Sequence, residues 1–279
     1  MTKTVVITGA TSGIGEVAAF RLAESGARIV IVARNQERAI ATHNKITRSN
    51  PHVDHHFYLA DLSKISEMKR VATEIAAREP AIDILINNAG SVYMDNTLTS
   101  DGLAPTFATN HLAYYVLTLM LLPKLRNVNS AKIICTSSRA HRYVPFNFDN
   151  LQRNGILGYA QSKLMNLLFI RRLSQLLGTE TITVNAFHPG FVASRFADNT
   201  TILWRSLMQV RKRLFGLSPE QGAQTLLYLA QSSEVNDQSG HYYVHSHREQ
   251  PSVRACDDED ALQLWKISEQ MTGVGFPML

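Results

Sequence analysis

Apolar residues along the chain fall into two alternating patterns. Thr4, Val5, Val6, Ile7 and Thr8 form a short β-branched run that ends in glycines, which reads as a buried strand. The next stretch sets Val17, Ala18, Phe20 and Leu22 at helical spacing and stops at Gly26. Further apolar runs predict strands at 29–32, 56–59, 82–86, 132–136 and 181–187. Helical spacing predicts helices at about 36–47, 63–78, 102–125 and 159–177. Continuously apolar strands spaced by helices imply a parallel sheet covered on both faces. The predicted fold class is therefore α/β: a Rossmann-type, doubly wound sheet. No Pro/Gly/Ser-rich linker interrupts the alternation, so 1–279 reads as one domain. The pattern breaks only at 191–218, a connection long enough to predict a functional segment such as a lid.

The turn after the first strand is Thr8-Gly9-Ala10-Thr11-Ser12-Gly13-Ile14-Gly15, opening a helix. Glycines there let backbone N–H groups approach a pyrophosphate, and the helix N-terminus adds positive potential. The spacing is G-x-x-x-G-x-G in the strand–turn–helix context that a dinucleotide site requires. The residue ending the second strand then selects the dinucleotide. An acid there would bond the ribose hydroxyls of NAD, but this chain carries Arg34. A guanidinium pairs well with a 2′-phosphate, so NADP(H) is the expected cofactor, with Arg38 as a weaker second contact.

Tyr159 and Lys163 stand four apart at the start of a strong helical pattern, so they share a face. A free phenol titrates near 10. A neighbouring cation would favour the phenolate and lower that value.

Taken together, the motifs resemble the short-chain dehydrogenase/reductase family, in its retinol dehydrogenase-like branch. They are the glycine turn, Asp61-Leu62, Asn87-Asn88-Ala89-Gly90, Asn110-His111-Leu112, Ser137-Ser138, Tyr159-x-x-x-Lys163 and Phe187-His188-Pro189-Gly190. Trp265, Ser268 and Glu269 in the tail fit the same branch. The resemblance implies an NADP-dependent enzyme that interconverts an alcohol and a carbonyl. Tyr159 would be the general acid/base, and Lys163 would tune it and bond the nicotinamide ribose. Ser138 would hydrogen-bond the substrate oxygen, and Asn110 would hold a relay water. The implied cofactor-binding set is Gly9, Thr11, Ser12, Gly13, Ile14, Gly15, Arg34, Asp61, Leu62, Asn87, Ala89, Gly90, Tyr159, Lys163, Pro189, Gly190, Val192 and Ser194. Asp61 would contact the adenine, or it caps the helix predicted from Ser63; both roles are open.

Tyr143, Phe146 and Phe148, between the catalytic strand and Tyr159, either border the substrate pocket or pack under their own loop. His141 is either a second polar contact or incidental. The segment 195–215 sets Leu203, Leu207, Val210 and Leu214 at helical spacing beside Arg205, Arg211, Lys212 and Arg213. It reads as an apolar active-site lid, or as a basic amphipathic helix in weak contact with a membrane surface. Both readings favour a bulky hydrophobic substrate. The formal net charge of +5 concentrates there, since 195–213 alone carries +4. A nucleic-acid binder needs a broad basic face, so that role is not expected. The patch His52, His55, His56 lacks cysteines or a carboxylate set, and no metal is expected. Two cysteines build no disulfide framework, and Met1-Thr2-Lys3-Thr4 has no signal-peptide shape, so a cytoplasmic protein is expected. The helices at 102–125 and 159–177 are those through which many relatives form homodimers or homotetramers. The competing functional classes are a catalytically idle NADP-binding scaffold and a peripheral-membrane lipid or pigment reductase.

Overall fold

The computed structural model describes residues 2–95, 97–190 and 217–278. One eight-stranded sheet runs in the order β3-β2-β1-β4-β5-β6-β7-β8. Its strands are β1 (Thr4–Thr8), β2 (Arg28–Ala33), β3 (His56–Leu59), β4 (Ile84–Asn87), β5 (Ala131–Thr136), β6 (Ile182–His188), β7 (Tyr242–Val244) and β8 (His247–Arg248). All neighbours pair in parallel except β7 and β8. The strand order reverses between β1 and β4. In such sheets a crevice opens there at the C-terminal strand ends, and ligands bind in it.

The helices are α1 (Gly13–Glu24), α2 (Gln36–Ser49), α3 (Ile65–Arg78), α4 (Pro105–Phe107), α5 (Ala113–Leu125), α6 (Gly155–Leu177), α7 (Pro219–Gln231) and α8 (Asp258–Thr272). Two apolar clusters sandwich the sheet. One packs Val5, Ile7, Ile29 and Ile31 against α1 and α7, and the other packs Val6, Val30 and Leu85 against α3, α5 and α6. Neighbouring residues of one strand thus face opposite layers, which is why β1 and β2 must be apolar throughout.

Three expectations are corrected in detail. The helix predicted over 102–125 is interrupted by a π-turn at Ala108–Leu112, flanked by α4 and α5. That stretch is buried on nearly every side, its polar Thr106, Asn110, His111 and Thr118 included, so its periodicity carries no mark of the wider turn. The helix predicted from Tyr159 begins one turn earlier, at Gly155. The helix predicted from Ser63 begins at Ile65, whose N–H is capped by Asp101 at 2.7 Å.

α5 is almost wholly buried within the chain, as is the middle of α6 from Ala160 to Ile170, while Ile156 and Leu157 at the start of α6 are exposed. Part of that cover is α8, whose Trp265 stacks on Phe169 at 5.9 Å and meets Tyr115 edge-on at 5.0 Å. The tail follows suit: Tyr115 Oη donates to Val274 O, and an Arg126 N–H donates to Pro277 O. No helix among the described residues is long and apolar enough to cross a membrane.

Candidate active site

The glycine turn follows β1. Gly9 and Gly13 have φ of +68° and +59°, the left-handed region that other residues adopt with strain. A Cβ on Gly15 would collide with the Gly9 carbonyl and lie 2.5 Å from Asn88 Nδ2. α1 begins at Gly13, and Ser12 at its N-cap makes no side-chain capping bond. The first N–H groups of α1 have no side-chain acceptor among the described residues. Thr11, Ser12 and Ile14 stand half-buried around this uncapped end.

The turn is braced from β4. Asn88 Nδ2 donates to the carbonyls of Thr8 and Gly9 at 3.1 and 3.2 Å. The N–H groups of Asn88 and Ala89 both donate to Thr8 Oγ1. Asn87 faces the other way: it is fully buried and donates to Thr118 Oγ1 at 2.8 Å. Of the two adjacent asparagines, Asn88 does the bracing, and it was missed in the sequence because both occur together at a strand end. Leu62 is buried in the core beside Ala60. Asp61 accepts from the Ser63 N–H and hydroxyl at 3.1 and 2.8 Å. It closes a local turn and does not cap α3, so the capping expectation is corrected.

Arg34 follows β2 directly. It is exposed and its guanidinium has no partner among the described residues. The Arg38 guanidinium is likewise exposed and unpartnered there, while its N–H is capped by Asn35 Oδ1 at 2.9 Å.

β5 ends at Thr136, and the stretch after it lies against α6. Lys163 Nζ donates to Thr136 O at 2.9 Å, Asn166 Nδ2 donates to the same oxygen, and Ser137 Oγ donates to Lys163 O. Lys163 Nζ also lies 5.5 Å from the Tyr159 ring centroid and 5.7 Å from that of Tyr114. Burial pulls the Lys163 ammonium down to about 7. Burial pushes the Tyr159 phenol up to about 12, opposed by a hydrogen bond with the Ser138 side chain. The sequence predicted the opposite direction for Tyr159. The reason is geometric: Nζ is spent on a main-chain carbonyl and is itself desolvated, so it offers the phenol little positive charge.

Asn110 lies in the π-turn, fully buried. Its Oδ1 accepts from Ser91 N–H, and its Nδ2 donates to Ser91 O and Ser162 Oγ. Ser162 in turn donates to Tyr159 O at 2.7 Å, so Asn110 is tied to the Tyr159 turn of α6. One Oδ1 lone pair stays uncommitted. Where Gly90 lies, a Cβ would sit 3.2 Å from Asn110 Oδ1 and 3.5 Å from Lys163 Nζ. Pro189 and Gly190 follow β6, with Gly190 at φ +81°. Val192, Ser194 and the predicted lid through 216 lie outside the described residues.

Phe146 is buried in the main apolar cluster, contacts Phe148 edge-on at 4.9 Å and lies under the Arg254 guanidinium, so these two rings pack against the body of the protein. Tyr143 is 79% exposed. Among the described residues no cluster of three or more His, Cys, Asp or Glu is placed to hold a metal ion.

Comparison with known proteins agrees with this geometry. The family model described as short chain dehydrogenase matches residues 3–202. Human retinol dehydrogenase 13 is 37% identical over 287 residues, covering 99% of this chain and 86% of its own. Mouse retinol dehydrogenase 14 is 34% identical over 288 residues, covering 98% and 86%. A solved structure of an uncharacterized protein from Mycobacterium paratuberculosis superposes with a TM-score of 0.77 at 30% identity, covering 99% of this chain and 95% of that one. The chain belongs to the short-chain dehydrogenase family and is retinol dehydrogenase-like, an oxidoreductase acting on CH–OH and C=O groups.

Proposed function

We propose that the protein is an NADPH-dependent reductase, or the reverse dehydrogenase, of a bulky apolar carbonyl or alcohol. The observation that carries the cofactor is Arg34, an exposed, unpartnered guanidinium at the C-terminal end of β2. An acid at that position would favour NAD. The uncapped N-terminus of α1, with Gly9 and Gly13 left-handed and Gly15 too close to Asn88 for a side chain, fits a pyrophosphate. A short chain dehydrogenase from Escherichia coli, 22% identical, has been solved with NADPH and shares this fold at a TM-score of 0.70. The substrate class rests on the relatives, whose names specify retinol.

When bound, the reduced nicotinamide supplies a hydride to the carbonyl carbon. The chain's own residues handle the proton. Tyr159 keeps its phenolic proton at neutral pH and donates it to the carbonyl oxygen as that oxygen gains charge. Ser138 holds the same oxygen and stabilises the phenolate left behind. Lys163, fixed on Thr136 O, lies 5.5 Å from the Tyr159 ring centroid. Asn110 acts first as a brace between Ser91 and the Tyr159 turn, with one lone pair left for a water. Asp61 and the Gly90 backbone line the adenosine and ribose side of the crevice.

α8 and the tail cover part of α5 and α6, and on that cover the enzyme is read as a single chain, checked as its mass in light scattering. The cytoplasm is the proposed location, in keeping with Cys135 and Cys256 both being free thiols. The deciding experiment is a carbonyl panel run with NADPH and NADH in parallel. Turnover of retinal-sized apolar aldehydes or ketones with NADPH is expected. A preference for small polar sugars or hydroxy acids, or for NADH, would overturn the reading.

A further inference from the structure

His141 lies three residues beyond Ser138, in a 3-10 turn (Arg139–Tyr143), and is 1% exposed. Its Nε2 accepts a 3.1 Å hydrogen bond from the Ser252 main-chain N–H. A peptide N–H only donates, so Nε2 carries a lone pair and the proton of the neutral ring sits on Nδ1. Nδ1 then donates to the Ser138 carbonyl at 2.6 Å, and the His141 main-chain N–H donates to the same oxygen at 3.2 Å. The ring stands edge-on to Tyr242 at 5.2 Å. Ser138 is thus held from behind by an imidazole whose tautomer is set by a residue 111 positions away.

We propose that His141 is a positioning residue for Ser138: neutral and Nδ1-protonated, it anchors the Ser138 main chain so that the hydroxyl meets the reacting oxygen. This rests on the reading of Ser138 as the group that holds that oxygen. A second proton on Nε2 would point at the Ser252 N–H, so protonation forces the two apart and loosens the segment carrying Ser138. Several groups face the ring. Burial and Arg142 oppose its protonation, while the Ser138 carbonyl and Glu249 favour it. Glu249 is paired with both Arg139 and Arg142, which offsets its pull, and Tyr242 is un-ionised. His188, at the end of β6, faces His141 and is itself held neutral by burial, down to about 4. The balance keeps His141 below its usual pKa.

Ser252 allows a direct test because its φ of −62° already suits proline. Ser252→Pro puts a ring carbon where that N–H stood, so Nε2 loses its donor and the imidazole must shift off Ser252. The full chain is assayed with NADPH and its best carbonyl from the panel, reading kcat and KM from pH 5 to 9. Melting temperature and NADPH affinity are followed for every variant. Ser252→Pro is expected to bring in an acid limb of kcat with an apparent pKa near the ordinary histidine value of about 6.5, absent from the parent at that pH. His141→Phe is expected to lower kcat roughly 10- to 100-fold with the KM for NADPH unchanged. His141→Asn, which keeps a donor near Nδ1, is expected to recover part of the loss. A Ser252→Pro profile identical to the parent's overturns the proposal, also when His141→Phe does not fold. Full kcat in folded His141→Phe overturns it as well. Ser138→Ala separates the two levels: full turnover in that variant sinks the Ser138 reading itself, whereas a dead Ser138→Ala beside a fully active His141→Phe sinks only this inference.

Discussion

Lys163 Nζ donates to the carbonyl oxygen of Thr136 at 2.9 Å, which fixes the ammonium at the end of β5 and not on the Tyr159 phenol. The bond couples the strand end that leads to Ser138 with the helix that carries Tyr159. It also leaves Lys163 buried and drawn down to about 7, against an ordinary value near 10.4. In that window the unfolded chain binds a proton that the folded chain does not, so stability rises with pH. Between pH 7 and 8.5, unfolding free energy is expected to rise by up to about 1.4 kcal/mol per pH unit from this group. Denaturant titrations of the parent and Lys163→Met are expected to differ by that slope. Equal slopes would show that the buried amine keeps its proton.

Arg34 is exposed and unpaired among the described residues, so removing it should not disturb the fold. A charge-assisted hydrogen bond contributes about 1.5–3 kcal/mol. Arg34→Ala is therefore expected to raise the KM for NADPH roughly 10- to 100-fold while leaving NADH kinetics in place. Equal effects on both cofactors would remove Arg34 from 2′-phosphate recognition.

Acid should weaken the fold through its buried histidines. Burial holds His111 down to about 3 and His188 down to about 4. In the unfolded chain both titrate near 6.5. As pH falls below that value the unfolded state takes up protons that the folded state refuses, so stability drops from about pH 6.5 toward 4. Each group contributes up to about 1.4 kcal/mol per pH unit. His111 also donates to Ser268 Oγ at 2.9 Å, since that hydroxyl is spent on Leu264 O. A second proton would go to the buried Nδ1 and leave that bond in place, so the expected loss is one of global stability, checked by urea unfolding at pH 7.5 and 5.5 followed through tryptophan fluorescence. A midpoint that does not move would contradict the burial of neutral rings.

The strand–helix alternation and the glycine turn were legible because both are local. Apolar periodicity marked β1 to β6 within a residue or two, and the turn residues announced themselves by type. What escaped was set across the chain. β7 and β8 are three and two residues long, too short for a period. The α3 N-terminus is capped by Asp101, 36 residues away, so capping stayed open beside adenine contact as a reading of Asp61. Asn88 and Asn87 are chemically identical neighbours, and only their opposite facing at the strand end tells the brace from the core residue. His141 looked incidental because its partner Ser252 is remote in sequence. The direction of the Tyr159 shift was missed because sequence spacing places a cation nearby without showing that a carbonyl has taken it.

The central claim, that Tyr159 delivers the proton in an NADPH-dependent carbonyl reduction, is tested most directly by Tyr159→Phe. NADPH affinity and carbonyl-dependent NADPH consumption are measured on the same preparation. General acid catalysis typically contributes about 10²–10⁴-fold, so turnover is expected to fall by at least that much while NADPH still binds. Undiminished turnover in Tyr159→Phe would contradict the account.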